Sequence, residues 1–410
     1  MSGAGSGRPA PVGPDGLPTV SDMEIEPLAV PAGSDAVAVL PRLARALSGG
    51  APVAPYLAGS PAPVLPRHSA AGLPEDLAVV VGTSGSTGTP KLAMLGGDAL
   101  RASAHATHAR LGGPGQWLLT LPAGHVAGIQ VLLRSLDADT EPVATDTSGG
   151  FTPAAFVAAA RRLSPGHRRY TSVVPTQLVR LLDDPAATAA LASLDGVLVG
   201  GAATPPLLRR RAEAAGVRVV TTYGMSETAG GCVYDGRALS GVRVRVDAEG
   251  RVELGGDTLA GGYLGRPDLT FAAFAVDTDG SRWYRTDDAG RLDDDGVLHV
   301  EGRLDDVVVT GGMKVAPRVV EEAALEHVPG VGEAVVVGTP DPEWGQAVSL
   351  LVVPTPGARP LSVVEVREHL RGHVPDHALP RRVTAAASVP VRGPGKPDRA
   401  AVAALFDVGG

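Results

Sequence analysis

Short apolar runs alternate with amphipathic segments through the first half of the chain. The runs at 77–81 and 196–199 have the length and aliphatic content of buried strands. Segments with apolar residues at helical spacing lie between such runs. We therefore predict strands and helices alternating around a largely parallel sheet, with ligands at the carboxyl ends of its strands. The further predicted strands are 117–121, 172–174 and 217–221, and the predicted helices are 36–47, 126–136, 153–163 and 205–215.

The pattern changes near residue 240, where short alternating strands are separated by glycine turns. This is typical of an antiparallel β subdomain, and a small α+β unit follows it. The predicted strands of this half are 241–246, 250–254, 296–300, 332–338 and 348–353, and its helices are 319–327 and 363–371. We divide the chain into a Gly-, Ser- and Pro-rich disordered tail (1–25), a large domain (26–304) that contains the β subdomain (240–303), and a mobile C-terminal domain (305–410).

Composition narrows the class of protein. A chain of 410 residues has room for two or three domains. Its net charge of −8 argues against nucleic acid or an acidic membrane surface as the main partner. The single cysteine, Cys232, excludes an internal disulfide framework and fits a reducing compartment. We find neither a membrane span nor a signal peptide and expect a cytoplasmic protein. The pattern does not indicate an oligomeric state.

A glycine- and hydroxyl-rich loop directly follows one of the apolar runs. Residues 82–91 read GTSGSTGTPK, in which glycines expose backbone N–H groups, Ser and Thr add donors, and Lys91 adds a positive charge. Only three of the 36 basic residues are lysines (Lys91, Lys314 and Lys396), so a lysine marks a position where a compact ammonium is kept. The loop is a candidate polyphosphate site, with an ordinary linker as the alternative. It lacks the Gly-Lys-Ser/Thr sequence of a P-loop.

A second polar motif, TTYGMSET, occupies residues 221–228 after a predicted strand. The Glu227 carboxylate stands there beside hydroxyl side chains, a combination that suits Mg²⁺ and phosphate oxygens. The alternative is a surface turn in which Ser-Glu-Thr caps a helix.

Three further motifs lie in the second half of the chain. Asp287, in YRTDD, can accept hydrogen bonds from both hydroxyls of a ribose, although such aspartates are usually just solvated. The motif GRLDD at 302–306 is followed by TGG at 310–312. Lys396, in PGKPDR, lies on a Gly/Pro loop from which it can bring a mobile charge to an acyl phosphate. The alternative for Lys396 is an ordinary terminal lysine.

Taken in order and with their spacing, the five motifs resemble those of the adenylate-forming superfamily of acyl-CoA synthetases, luciferases and nonribosomal-peptide adenylation domains. The resemblance covers roughly residues 75–400. It implies a large α/β N-terminal domain of parallel sheets and helices with a small antiparallel β subdomain, and a small α+β C-terminal domain. It also implies ATP and a thiol such as CoA as co-substrates, with Mg²⁺ as cofactor.

The resemblance assigns roles to individual residues of this sequence. The phosphate loop that handles the ATP β- and γ-phosphates contains Thr83, Ser84, Ser86, Thr87, Gly88 and Lys91. The adenine side of the site contains Gly200, Gly201, Ala202 and Tyr223. Glu227 matches the Mg²⁺ ligand, Thr228 contacts the α-phosphate, and Asp287 with Arg303 forms the ribose-binding pair.

The remaining roles concern the C-terminal domain. Asp305 falls at the hinge between the domains, and Gly311 with Gly312 lines the channel for the thiol. Lys396 matches the lysine that bridges the acyl carboxylate and the α-phosphate. Lys314 matches no clear family role, and we interpret it as a surface residue.

Two segments indicate the acid that is activated. LPAGHVAG at 121–128 with VLLRSL at 131–136 resembles the o-succinylbenzoate–CoA ligases of menaquinone biosynthesis, and GCVYDG at 231–236 resembles their actinobacterial form. This resemblance places His125 at the acyl-binding end of the site, where it could hydrogen-bond or gate the carboxylate. The alternative for His125 is a helix-capping or packing residue. The second carboxylate of such a substrate requires a polar or cationic partner.

Other functions remain open at this point. Within enzymes, the alternatives are another small or aromatic acyl-CoA synthetase and an adenylation enzyme that loads a carrier-protein thiol. Outside enzymes, the alternative is an inert nucleotide-binding scaffold, against which the presence of Glu227, Asp287, Arg303 and Lys396 argues.

Overall fold

The computed structural model describes residues 24–66, 72–83, 91–391 and 397–407. The phosphate-loop residues Ser84, Ser86, Thr87 and Gly88 lie outside this range, as does Lys396. Of the predicted tail 1–25, only two residues are described, and one of them, Ile25, is buried. Among the helices within these ranges, none is both long and apolar enough to cross a bilayer.

Strands and helices alternate along the first part of the chain, and short strands predominate after it. The strands are β1 (Glu26–Val30), β2 (Val53–Leu57), β3 (Leu77–Gly82), β4 (Leu92–Gly96), β5 (Gly115–Leu119), β6 (Val143–Ala144), β7 (Arg168–Val173), β8 (Gly196–Val199), β9 (Val219–Met225), β10 (Gly230–Tyr234), β11 (Arg237–Ala238), β12 (Val242–Val246), β13 (Arg251–Gly256), β14 (Gly262–Tyr263), β15 (Phe274–Val276), β16 (Arg282–Leu292), β17 (Leu298–Arg303), β18 (Val308–Thr310), β19 (Met313–Val315), β20 (Val331–Asp341), β21 (Gly345–Pro354) and β22 (Arg382–Ala385).

The helices pack against these strands. They are α1 (Leu40–Leu47), α2 (Gly97–Leu111), α3 (Val126–Asp137), α4 (Pro153–Ala160), α5 (Pro175–Leu182), α6 (Pro185–Ala192), α7 (Pro206–Ala214), α8 (Pro267–Ala273), α9 (Pro317–His327), α10 (Val363–Leu370) and α11 (Arg399–Asp407).

Two sheets form the centre of the large domain. The first has the order β1-β2-β3-β4-β14, and the second has the order β11-β10-β9-β8-β7-β5-β6. In the second sheet β5 to β9 are parallel, as predicted, while β10 and β11 extend it in antiparallel fashion. The first sheet is mixed, because β3 pairs antiparallel with β4. The short connection between them leaves no length for the crossover that a parallel pair needs.

A third, antiparallel sheet (β12, β13, β16, β15 and β17) forms the predicted β subdomain, and a fourth (β19, β18, β21, β20 and β22) forms the core of the small C-terminal unit. One large apolar cluster fills the space between the first two sheets and α1 to α3, and includes Trp117 and Tyr170. A separate cluster, which includes Val320 and Leu350, packs under the fourth sheet. The small unit therefore has a hydrophobic core of its own.

Several predicted elements differ from those observed. The strand predicted at 217–221 runs from Val219 to Met225, because antiparallel pairing with β10 extends it past Tyr223. The helix predicted at 36–47 begins as a 3₁₀ turn at Gly33–Val39, and the α-helix starts only at Leu40, where Pro41 fits the first turn. The described elements that were not predicted are β1, β2, β4, β6, β10, β11, β14, β15, β16, β18, β19 and β22, with α2, α5, α6, α8 and α11.

Arg399 links several segments of the small unit. At the start of α11, Arg399 donates through Nε to Asp306 Oδ2 at 3.0 Å and through Nη1 to Glu321 Oε1 at 2.8 Å, and it also bonds the carbonyl of Val336. Arg399 thus fixes α11, which begins three residues after Lys396.

The large and small units meet beside α7 and α9, where Arg210 Nη1 lies 3.3 Å from Glu326 Oε1.

We expect Arg399→Met to lower the free energy of unfolding by about 2 kcal/mol, because it leaves two half-buried carboxylates without their cation. Urea unfolding measures the change. The matched control is Arg359→Met, which removes the exposed ion pair with Glu365 from the same unit and should have a smaller effect. Equal effects of the two substitutions would contradict the structural role of Arg399.

Candidate active site

The two ends of the glycine-rich loop are closed by a backbone hydrogen bond. The Thr83 N–H donates to the Lys91 carbonyl at 2.8 Å, so Thr83 and Lys91 lie side by side at the ends of β3 and β4. The Lys91 ammonium lies 5.3 Å from the centre of the Tyr263 ring. This places one of the three lysines at the exit of the predicted phosphate loop, over an aromatic face.

Glu227 is buried at the carboxyl end of β9. It lies in the 3₁₀ turn Ser226–Thr228 and is only 5% exposed. Its Oε1 accepts a hydrogen bond from the Tyr263 hydroxyl at 2.7 Å, and its backbone carbonyl accepts one from the Ala260 N–H at 2.9 Å. Burial raises the pKa of the Glu227 carboxyl, and the Tyr263 hydrogen bond and the Lys91 charge oppose that rise.

Thr228 closes this turn with its own side chain. Its hydroxyl accepts from the Met225 N–H at 3.0 Å and donates to the Gly230 carbonyl at 2.8 Å, and the residue is fully buried. The hydroxyl is therefore used inside the turn. Its contact with an α-phosphate stays a prediction.

The predicted adenine side is assembled from the ends of β8 and β9, which run parallel. Gly200 packs so closely on β9 that a Cβ there would lie 2.2 Å from Thr222 Oγ1. Gly201 and Ala202 follow in the same turn, with Gly201 at φ +79°. Tyr223 donates its hydroxyl to Asp288 Oδ2 at 2.6 Å, and burial followed by the Asp288 charge raises the pKa of the phenol.

The structure brings the predicted ribose pair together. Arg303 Nη2 lies 3.3 Å from Asp287 Oδ2 and 3.1 Å from Asp305 Oδ2, so the same guanidinium also contacts the predicted hinge residue. Arg251 adds a second cation, with Nη1 3.7 Å from Asp287 Oδ1. Sequence reasoning missed Arg251, because one arginine among many carries no pattern that marks it.

His125 lies in the connection between β5 and α3 and is exposed. It occupies the N-cap position of α3, yet no side-chain hydrogen bond caps the helix. Because β5, β8 and β9 are parallel, His125 shares the carboxyl edge of the sheet with Gly200 and Glu227. The histidine therefore lies on the side of the sheet where a substrate is expected.

The predicted thiol-channel glycines form the turn between β18 and β19. Gly311 and Gly312 have φ of +57° and +79°, which favours glycine. A Cβ on Gly311 would also lie 2.6 Å from the Trp344 ring. The Gly311 N–H donates to the Trp344 carbonyl at 2.9 Å. Lys314 follows on β19 and is exposed.

The donor set fits a magnesium ion held mainly by its substrate. Among the described residues, no group of three or more His, Cys, Asp or Glu side chains is arranged to bind a metal. Mg²⁺ bound with a nucleotide takes one or two carboxylates, while phosphates and water supply its other ligands. The buried carboxylate of Glu227, within reach of the Lys91 charge, matches that requirement.

Comparison with known proteins identifies the family. Residues 18–264 match the family model described as AMP-binding enzyme, and residues 320–396 match that of the AMP-binding enzyme C-terminal domain. This chain belongs to the AMP-binding enzyme family. The fold agrees with the one implied by the sequence resemblance: a large N-terminal domain of sheets and helices, followed by a small C-terminal one.

Relatives of this AMP-binding enzyme include a probable 2-succinylbenzoate–CoA ligase of Mycobacterium tuberculosis, 46% identical over 92% of this chain and 98% of the relative. Among solved structures, the amide bond synthetase McbA from Marinactinospora thermotolerans has a TM-score of 0.74 at 26% identity, with 94% of this chain and 90% of that one covered. The o-succinylbenzoate CoA synthetase MenE from Bacillus subtilis, in complex with the acyl-adenylate intermediate OSB-AMP, has a TM-score of 0.66 at 25% identity, covering 79% and 68%.

We expect Gly224→Ala to weaken AMP binding to this AMP-binding enzyme about 10-fold. A Cβ there would lie 2.1 Å from the Gly230 carbonyl oxygen and 2.7 Å from Gly231 Cα. Both atoms are backbone of the paired strand β10, so β9 must shift and displace Tyr223. Isothermal titration with AMP measures the change. Gly149→Ala, whose Cβ meets no atom within 4 Å, is the control. Unchanged AMP affinity in Gly224→Ala would exclude this account.

Proposed function

We propose that this AMP-binding enzyme is an AMP-forming 2-succinylbenzoate–CoA ligase, which activates o-succinylbenzoate with ATP and transfers it to CoA in menaquinone biosynthesis. The observation that carries the proposal is the near end-to-end similarity to the mycobacterial relative of that name, which extends over both domains. A cytoplasmic location belongs to the same proposal and is supported by a single buried cysteine, as expected in a reducing compartment.

In the first half-reaction, a carboxylate oxygen of the acid attacks the α-phosphorus of ATP. The bond from that phosphorus to the bridging oxygen breaks, and pyrophosphate leaves. Two anions must approach each other, so positive charge at the α-phosphate lowers the barrier. Lys91 holds the β- and γ-phosphates in our proposal, and Lys396 bridges the carboxylate and the α-phosphate. Magnesium, held by Glu227, would supply further charge neutralisation on the phosphates.

The nucleoside is held by groups from separate strands. Asp287 and Arg303 bind the ribose hydroxyls in our proposal, and Tyr223 lies beside the adenine next to the turn Gly200–Ala202. The hydrogen bond of Tyr223 to Asp288 and the ion pair of Arg303 with Asp287 support this assignment, because both keep polar groups in place before ATP arrives.

In the second half-reaction, the thiol sulfur of CoA attacks the acyl carbon and AMP leaves, while the thiol proton is lost to solvent. We propose that the C-terminal domain turns about Asp305 between the two steps, which withdraws Lys396 and admits the pantetheine arm beside Gly311 and Gly312. The lack of side chains at this turn supports the role: a Cβ on Gly311 would meet the Trp344 ring at 2.6 Å, whereas one on Gly312 would meet no atom within 4 Å.

AMP release that depends on CoA distinguishes the acids. We expect o-succinylbenzoate to support AMP release at least about 100-fold better, as kcat/KM, than benzoate or a fatty acid, because neither supplies the second carboxylate that the pocket must pair. ATP–pyrophosphate exchange without CoA, run in parallel, separates activation from thioester formation. Absence of exchange with o-succinylbenzoate would refute the proposed substrate. Exchange without CoA-dependent AMP release would favour a carrier-protein thiol, and no exchange with any acid would favour a scaffold.

We expect Lys396→Ala to slow adenylation about 10²- to 10³-fold, because the α-phosphate loses a positioned charge, and to affect thioester formation from a supplied acyl-adenylate much less. Single-turnover measurements of the two half-reactions test this. Lys314→Ala, which removes an exposed lysine of the same domain, is the matched control. Full adenylation activity in Lys396→Ala would overturn the mechanism.

A further inference from the structure

We infer that Tyr263 is a positioning residue of the nucleotide site, holding Glu227 through its hydroxyl and Lys91 through its ring. The inference rests on the proposed roles of those two residues in binding metal and phosphate. Tyr263 was not among the predicted site residues, because it stands 36 positions from Glu227 in the sequence.

The backbone around Tyr263 is fixed on both sides. Strand β14 pairs antiparallel with β4, with Tyr263 opposite Ala93, and the Tyr263 N–H donates to Thr270 Oγ1 at 2.9 Å. The preceding glycine, Gly262, has no room for a Cβ, which would lie 2.5 Å from Thr270 Cγ2. Because β4 begins directly after Lys91, this pairing fixes the distance from the Tyr263 ring to the exit of the phosphate loop.

The hydroxyl of Tyr263 orients the Glu227 carboxylate. It donates to Oε1 at 2.7 Å, and the Tyr284 phenol lies beside the same carboxylate, so Tyr263 is one of two phenols that hold it. A second fixed point is the bond from the Ala260 N–H to the Glu227 carbonyl, donated by the segment that leads into β14. Removing a group that orients a metal-binding carboxylate in this way typically lowers metal affinity 10- to 100-fold.

The ring of Tyr263 provides the surface on which Lys91 rests. The ammonium is 5.3 Å from the ring centre, within the range of a cation–π contact. Phe274 packs edge-on against the same ring at 5.8 Å between centroids, and Tyr263 is only 2% exposed, so the ring is held rigidly. A phenol is the side chain that serves both contacts at once, because phenylalanine lacks the donor and short hydroxyl residues lack the face.

The test is the affinity of the full-length protein for ATP with and without a divalent ion. We expect Tyr263→Phe, which keeps the ring, to weaken Mn²⁺·ATP binding about 10-fold, seen by titration calorimetry and by the Mn²⁺ electron paramagnetic resonance signal. ATP binding in EDTA should stay within about 2-fold of the unmodified protein, because the lysine contact is kept. Tyr263→Leu, which removes both groups, should weaken ATP binding in EDTA as well.

Tyr170→Phe is the matched control, since it removes a buried tyrosine hydroxyl that donates to the carbonyls of Leu111 and Gly113. A merely structural role for Tyr263 would lower stability in both variants and leave the metal-dependent difference in ATP affinity unchanged. Equal Mn²⁺·ATP affinity in Tyr263→Phe and the unmodified protein would overturn the inference.

A double-mutant cycle with Glu227→Gln separates this inference from the proposed function. If Tyr263 acts through Glu227, Tyr263→Phe should cause no further loss of Mn²⁺·ATP affinity once Glu227 is changed. Independent, additive losses would contradict the coupling. These binding measurements do not involve the acid or CoA, so they hold or fail separately from the o-succinylbenzoate assignment.

Discussion

The proposed nucleotide site is organised around the burial of one carboxylate. A buried carboxylate is unfavourable unless it is hydrogen-bonded or paired with a cation, and Glu227 obtains its partners from the neighbouring sheet. The Tyr263 hydroxyl and the Ala260 N–H both come from the segment that forms the edge strand of the first sheet, whereas Glu227 ends a strand of the second. The need to satisfy this carboxylate therefore ties the two sheets together at the edge where the phosphates are proposed to bind.

The same edge gathers the other polar groups because of strand direction. Parallel strands place their carboxyl ends side by side, so the turns that follow β5, β8 and β9 converge although they are far apart in sequence. The β subdomain adds Asp287 and Asp288 from one side, where Arg251, Arg303 and Tyr223 contact them. Each of the acidic groups proposed to bind nucleotide or metal thus has a donor or a cation beside it that holds it in place, which limits the rearrangement that binding requires.

The sequence allowed the fold class to be predicted, and seven of the fifteen strands and α-helices described from β12 onward (β12, β13, β17, β20, β21, α9 and α10), because these depend on local periodicity and glycine turns. The strand Gly196–Val199 was predicted with its observed bounds. The antiparallel turn-back at the phosphate loop was not predicted, since apolar runs carry no information on direction. Tyr263 and Arg251 were missed for a related reason. Their partners lie in other strands and are selected by register, and no spacing in the sequence encodes that register. The roles of Ser84, Ser86, Thr87, Gly88 and Lys396 stay predictions, because these residues lie outside the described part of the chain.

The proposed reaction requires two lysines to behave differently, with Lys91 staying on the large domain and Lys396 moving with the C-terminal one. Lys91 stands at the start of a buried strand and over a rigid aromatic ring, so its charge can stay with the phosphates of ATP. Lys396 belongs to the C-terminal domain, three residues before Arg399, whose ion pairs with Asp306 and Glu321 fix the following helix to the core of that domain. A rotation about the neighbouring Asp305 would then carry the lysine with the domain as one body. Lys91 would hold the β- and γ-phosphates until they leave as pyrophosphate, and the withdrawal of Lys396 with the domain would then open the acyl carbon of the adenylate to the thiol.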